Sequence, residues 1–105
     1  MWERDRGVCV VAVTCSPPAE TRVVNHRVNR GAGGSKDPAI NAPSSLHLAC
    51  HECNGWLEDN PVRAEAGGWK VHHGVTLPAD VPIRYPGGWW LLDNEGGRTM
   101  TEAPT

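Results

Sequence analysis

Asn25-His26-Arg27-Val28-Asn29-Arg30-Gly31-Ala32-Gly33-Gly34, followed by Cys50-His51-Glu52-Cys53-Asn54-Gly55-Trp56, are the stretches on which the reading of this chain turns. The first sets a histidine between an amide and an arginine. It lies in a segment, Arg22 to Lys36, that holds Arg22, Arg27, Arg30 and Lys36 and no carboxylate. The second opens with C-x-x-C, a spacing that lets two thiolates face one ion while backbone N–H groups support the sulfurs. From Cys50 to Asn60 the pattern is helical, with Trp56 and Leu57 toward the core. That helix carries Asn54 and Glu58 on one face, one turn apart.

Working outward, Val8-Cys9-Val10-Val11-Ala12-Val13 reads as a β-branched strand, stopped by Ser16-Pro17-Pro18. Thr21 to Val28 reads as a short strand that carries His26, and Ser44 to Leu48 as a strand pairing back. Between them, Asn29 to Ala42 is Gly-rich and without periodicity, a long surface loop. Beyond the helix, Asn60-Pro61 has the form of an N-cap with proline at the first helical position. A second short helix to Ala66 would then end at Gly67-Gly68. Trp69 to His72 is extended, and Val81–Tyr85 with Trp89–Asp93 reads as a hairpin about Pro86-Gly87-Gly88. Asn94 to Gly97 is a turn, and the last residues read as frayed.

Length and composition bound what such a chain can be. In 105 residues there is room for one small domain, and with 39% hydrophobic residues and no Phe the core is thin. Small domains of this kind usually need a metal or disulfide staple. The charged start, Met1 to Arg6, has no apolar stretch of the signal-peptide kind, and no run is long enough to span a membrane. The chain therefore reads as cytoplasmic, where four cysteines more often mean zinc than disulfides. The net charge of −2 argues against a general nucleic-acid binder, but the basic segment around His26 can still engage phosphates.

Each candidate has a plain structural reading beside the functional one. Cys9 and Cys15 complete a Cys₄ set with Cys50 and Cys53, although five residues separate the first pair; the alternative is buried, unliganded thiols. A histidine beside valines is more often structural than catalytic. Here Asn25 adds a metal-capable oxygen, Arg27 and Arg30 add phosphate donors, and neutral imidazole is suited to take a proton from water. Asn54 and Glu58 suit a hard cation such as Mg²⁺, or form a solvated polar face. His47, His51, His72 and His73 lack such neighbours and read as structural or solvated.

Taken together, the two stretches resemble small phage-type HNH endonucleases, over roughly Cys9 to Val71. Trp89-Trp90-Leu91-Leu92-Asp93 resembles tails found on phage members. The resemblance implies an α+β fold of the ββα-metal kind: one domain over residues 1–105, its core about 9–71, and a C-terminal extension with a hairpin about 72–100. It implies structural Zn²⁺ on Cys9, Cys15, Cys50 and Cys53, and a catalytic set of His26 as general base with Asn25 and Asn54. Those two amides, with Glu58 as a further ligand, would hold a catalytic Mg²⁺ or Mn²⁺. Arg27, Arg30 and Lys36 would contact DNA phosphates. Three departures stand out. Asn25 replaces the acid or histidine expected at the metal position, the middle Asn of the motif falls at Ser45 with Asn41 a possible substitute, and the first cysteine pair is C-x₅-C. The implied partners are DNA and a phage terminase, without a membrane and in the host cytoplasm. The alternative is a non-catalytic, zinc-braced DNA-binding or terminase-docking module on the same scaffold.

Overall fold

The chain begins with a one-turn helix, α1 (Trp2–Asp5), whose last two residues turn inward instead of facing water. In the computed structural model, which describes residues 2–28, 42–71 and 77–104, Arg4 and Asp5 are both buried. Asp5 accepts from Arg4 Nε at 2.8 Å, from the Leu48 N–H at 3.0 Å and from the Tyr85 hydroxyl. Arg4 also donates to the carbonyls of Pro43 and Leu46. A buried ion pair is tolerable when its remaining hydrogen-bonding capacity is filled, as it is here. The charged N-terminus thus fastens to the middle and to the end of the chain.

The segment carrying the histidine does form a strand, shorter than its sequence suggests. β1 (Val24–His26) pairs antiparallel with β2 (Leu46–Leu48) in the register Val24↔Leu48, Asn25↔His47, His26↔Leu46. Ser44 and Ser45, expected to begin this strand, lie instead in a 3₁₀ turn, Pro43–Ser45, as a proline at its start favours. The Asn29 to Ala42 loop lies outside the described residues except for Ala42.

Two residues after β2 comes α2 (His51–Asp59), with Cys50 at its N-cap, Leu57 buried and Trp56 packed against the core. α3 (Pro61–Ala66) follows with proline in its first turn. Asn60 holds the N-cap position as expected, but its side-chain amide makes no capping bond and donates back to the Trp56 carbonyl at 2.9 Å, closing α2 instead. α3 ends as the glycines predict: Gly67, Gly68 and Trp69 N–H groups return to Arg63, Glu65 and Ala64 carbonyls. Gly68 has φ +76°, and a Cβ there would meet the Pro82 carbonyl oxygen at 1.9 Å, so glycine is required.

The C-terminal third is a three-stranded antiparallel meander, β3 (Ile83–Tyr85), β4 (Gly88–Leu92) and β5 (Arg98–Thr101). The hairpin matches the sequence reading; β5 corrects it, since those residues had read as frayed. Asp93 Oδ1 accepts from the N–H groups of Glu95 and Gly97, which sets the turn. Arg98 then lies over the rings of Trp90 and Tyr85, 4.0 and 4.8 Å from their centroids. This meander is no appended tail, because Ile83, Tyr85 and Leu92 share one core with Cys9, Cys53, Ala49, Leu57 and Trp69.

Val8 to Val13 is not a strand. It contributes one bridge, Val8↔Glu20, after which the chain curls, with Ala12 at φ 48°. The Ala12 N–H turns to Cys9 Sγ at 3.3 Å, a partner that competes with a strand ladder.

His47 is fully buried opposite Asn25, its ring nitrogens 3.3 and 3.4 Å from the Leu48 and Trp69 carbonyls. Burial, and then the charge of Arg27, pull its pKa from 6.5 to about 4. Below about pH 6.5 the unfolded chain takes up a proton that the folded chain refuses until about pH 4. The stability this group contributes is whole above that upper value and falls as the pH drops through the window. By pH 5 the loss should reach about 2 kcal/mol. Urea unfolding of metal-loaded protein at pH 7 and pH 5 tests this against His47→Gln, which should lose correspondingly less. Equal losses would reject the assignment.

Candidate metal centre and the adjoining polar site

The sulfurs of Cys9, Cys15, Cys50 and Cys53 all lie within 4.8 Å of one another. Four thiolates on one zinc at about 2.3 Å sit about 3.8 Å apart, so the set fits a tetrahedral ion such as zinc with little movement. Cys15 and Cys50 already stand 4.0 Å apart. None of the four is in a disulfide.

The backbone explains how so loose a first pair reaches the site. Cys9 N–H bonds the Ala19 carbonyl at 2.8 Å and closes residues 9–19 into a loop. Within it, Ala12 and Ala19 N–H groups point at the sulfurs of Cys9 and Cys15. The second pair is mounted on α2, where Cys50 Sγ accepts from the Cys53 N–H at 3.4 Å and so caps the helix. The five-residue spacing is thus accommodated by the curl that removed the expected strand.

Electrostatics within the cluster are divided. Burial pushes Cys9 up to about 12, with the neighbouring Cys53 adding to it. Burial also raises Cys53, but hydrogen bonds from the Thr14 hydroxyl and backbone and from the neighbouring thiols outweigh it, and its pKa falls to about 7. Thr14 Oγ1 lies 3.1 Å from Cys53 Sγ, a support the sequence gave no reason to single out. A divalent cation relieves the mutual repulsion that ionising all four sulfurs would create.

Beside this cluster the unit β1–β2–α2 brings Asn25 against Asn54. The Asn25 side-chain amide donates to Asn54 Oδ1. Asn25 is buried, and its own Oδ1 has no hydrogen-bond partner among the described residues. A buried carbonyl oxygen of that kind is costly unless something satisfies it. His26, the next residue, is half-buried, and its backbone carbonyl accepts from Lys70 Nζ at 3.0 Å. Glu58 is exposed one turn along α2. Burial lowers the Lys70 pKa, and the Glu58 charge offsets this only in part. Lys70 went unnoticed in the sequence because a lone lysine in an extended segment carries no signal.

The remaining candidates divide. Arg27 is fully buried, and the reading of it as a phosphate contact is corrected. Its guanidinium donates to the carbonyls of Gly68, Ser44, Pro78 and Val81 at 2.8 to 2.9 Å. Ser45 is buried, and its carbonyl accepts the Arg27 N–H at 2.7 Å. The Pro43–Leu46 carbonyls are therefore gripped by Arg4 and Arg27. Arg30, Lys36, Asn41, His72 and His73 lie outside the described residues. His51 is exposed between its cysteines. No helix among the described residues is long and apolar enough to cross a membrane. Compared with protein-family models, curated proteins and solved structures, the chain gives no match, so its function is argued from this geometry.

Proposed function

We propose that the chain is a metal-dependent endonuclease of the HNH kind that hydrolyses DNA phosphodiester bonds. Structural Zn²⁺ on Cys9, Cys15, Cys50 and Cys53 would brace its ββα unit. The observation that supports this reading is the meeting of Asn25 and Asn54, one from a strand and one from the helix, with Asn25 Oδ1 buried and unpartnered beside His26. A cation offers that oxygen the partner that the described protein groups do not. Asn25, Asn54 and Glu58 would hold Mg²⁺ or Mn²⁺, which suits an all-oxygen donor set.

When bound, that ion supplies Lewis-acid stabilisation of charge building on the phosphate and the leaving oxygen. His26 takes a proton from water as the water oxygen bonds to phosphorus and the P–O3′ bond breaks in line. Lys70, donating to the His26 carbonyl, fixes the backbone that carries the base. Genome processing beside a phage terminase, in the host cytoplasm, is the setting this reading favours. The rival is a DNA-binding or terminase-docking module without cleavage. The Asn25–Asn54 bond favours it, because two neutral amides can satisfy part of each other without an ion.

Supercoiled plasmid, incubated with no added divalent ion, with Mg²⁺ or with Mn²⁺, separates the two. Wild type should nick or cut only with the ion. His26→Ala should slow cleavage by about 10² to 10⁴-fold with zinc content and melting unchanged. Asn25→Asp should lower the Mg²⁺ concentration needed, since an anionic oxygen replaces a neutral one. A wild type inert with every ion hands the chain to the rival reading, whereas a His26→Ala that cleaves undiminished removes His26 from the role of base.

A further inference from the structure

Three of the five tryptophans, Trp56, Trp69 and Trp89, line one open cleft of about 360 Å³ together with Arg63 and Arg84. Among the described residues no carboxylate lines it. Both arginines are exposed, and neither is in an ion pair among the described residues. From these juxtaposed indoles and exposed guanidiniums we propose that the cleft binds unpaired nucleotides of a nucleic-acid strand, bases against the indoles and phosphates against Arg63 and Arg84.

The cleft is built to stay open and flat. Trp69 forms its floor: the indole N–H donates to the Arg84 carbonyl at 2.9 Å, and the ring meets Trp56 edge-on with centroids 6.0 Å apart. The ring lies so close over the backbone that a Cβ on Gly67 would stand 2.4 Å from it. Strand alternation buries Ile83 and Tyr85 and turns Arg84 outward, beside its register partner Trp89. Trp56 and Trp89 remain half-buried, so each keeps ring surface for a ligand.

Main-chain bookkeeping decides which ligand. An extended peptide is recognised largely through free backbone groups at a sheet edge. Here β4 is paired on both sides, the Arg84 N–H is taken by Gly67 O and the Arg84 carbonyl by Trp69. What the cleft still offers is aromatic surface and two cations. Stacking on aromatic rings beside basic groups is how proteins hold unpaired nucleotides without regard to sequence. The site is distinct from Asn25 and Asn54, although α2 carries both Asn54 and Trp56.

Tryptophan fluorescence of zinc-loaded protein, titrated with oligothymidylate and no added Mg²⁺ or Mn²⁺, tests the cleft whether or not the chain cleaves. Binding should quench the emission. Trp89→Ala should weaken it about 5- to 150-fold, the worth of one stacked base. Arg84→Gln, at an exposed side chain that folding does not need, should reduce the salt slope by about 0.7. Unaltered affinity in both variants overturns the proposal. So does a poly-glutamate peptide that displaces the oligonucleotide from the cleft and binds it more tightly, an outcome that assigns the surface to an acidic protein partner.

Discussion

Stripping the ion from the four-cysteine cluster is expected to unfold the protein. Cys9 and Cys53 are fully buried and belong to the same core as Leu57, Trp69, Ile83 and Leu92. The cluster therefore lies inside the packing it supports, not on a separate lobe. Structural zinc contributes on the order of 10 kcal/mol in small domains. That is comparable to the whole net stability of a domain this size, about 5–15 kcal/mol. Without the ion, the four sulfurs no longer tie the 9–19 loop to α2. Cys53→Ser should act like chelation: one thiolate is lost, and the Thr14 hydroxyl loses the sulfur it faces. The measurement is zinc per chain by elemental analysis, beside circular dichroism and a thermal melt before and after chelator. One tightly held zinc is expected, released as the fold is lost. A metal-free sample that stays folded and monodisperse would sink the structural-zinc reading. Should Cys50 and Cys53 alone resist alkylation, the loop carrying Cys9 and Cys15 is not part of the site.

The parts of this fold that were legible in the sequence are those where spacing alone carries the physics. A C-x-x-C opening an amphipathic run predicts both a ligand pair and a helix start, and Cys50 is the N-cap of α2 with its sulfur in the four-cysteine cluster that could hold a metal. Gly68 and Gly87 likewise take positive φ, +76° and +96°, which few other residues adopt, so the end of α3 and the β3–β4 turn could be read directly. What failed depended on burial, which residue type alone does not reveal. Arg4, Asp5 and Arg27 look like surface charges, yet each is buried with its hydrogen bonds met by distant segments. Val8 to Val13 has the composition of a strand, but the sulfur of Cys9 draws the backbone into a curl. β5 looked like a polar end because its stabilising contact, Arg98 over Trp90, joins residues from different strands.

Replacing Arg27 should cost the fold, not merely DNA affinity. Its guanidinium uses four N–H donors on carbonyls from three separate parts of the chain: Ser44 before β2, Gly68 after α3, and Pro78 and Val81 before β3. Its backbone adds two more links, to the Ser45 carbonyl and from the Val71 N–H. Burial lowers its pKa to about 10, so it remains a cation at neutral pH, held by carbonyl dipoles. Arg27→Met keeps much of the volume and leaves those carbonyls without their donor. At about 1–3 kcal/mol for each buried group left unsatisfied, the total is of the same order as the stability of the domain. Arg27→Lys should fail only partly less, since an ammonium has three donors at one point and cannot span the planar fork's reach. Urea unfolding of the zinc-loaded variants measures this directly: the midpoint should fall steeply for Met and substantially for Lys. Had the arginine been a phosphate contact, Arg27→Met would leave the midpoint alone and reduce the salt dependence of DNA binding by about one unit of slope. That pattern would overturn the structural assignment, and the two outcomes cannot be mistaken for each other because one appears with no DNA in the tube.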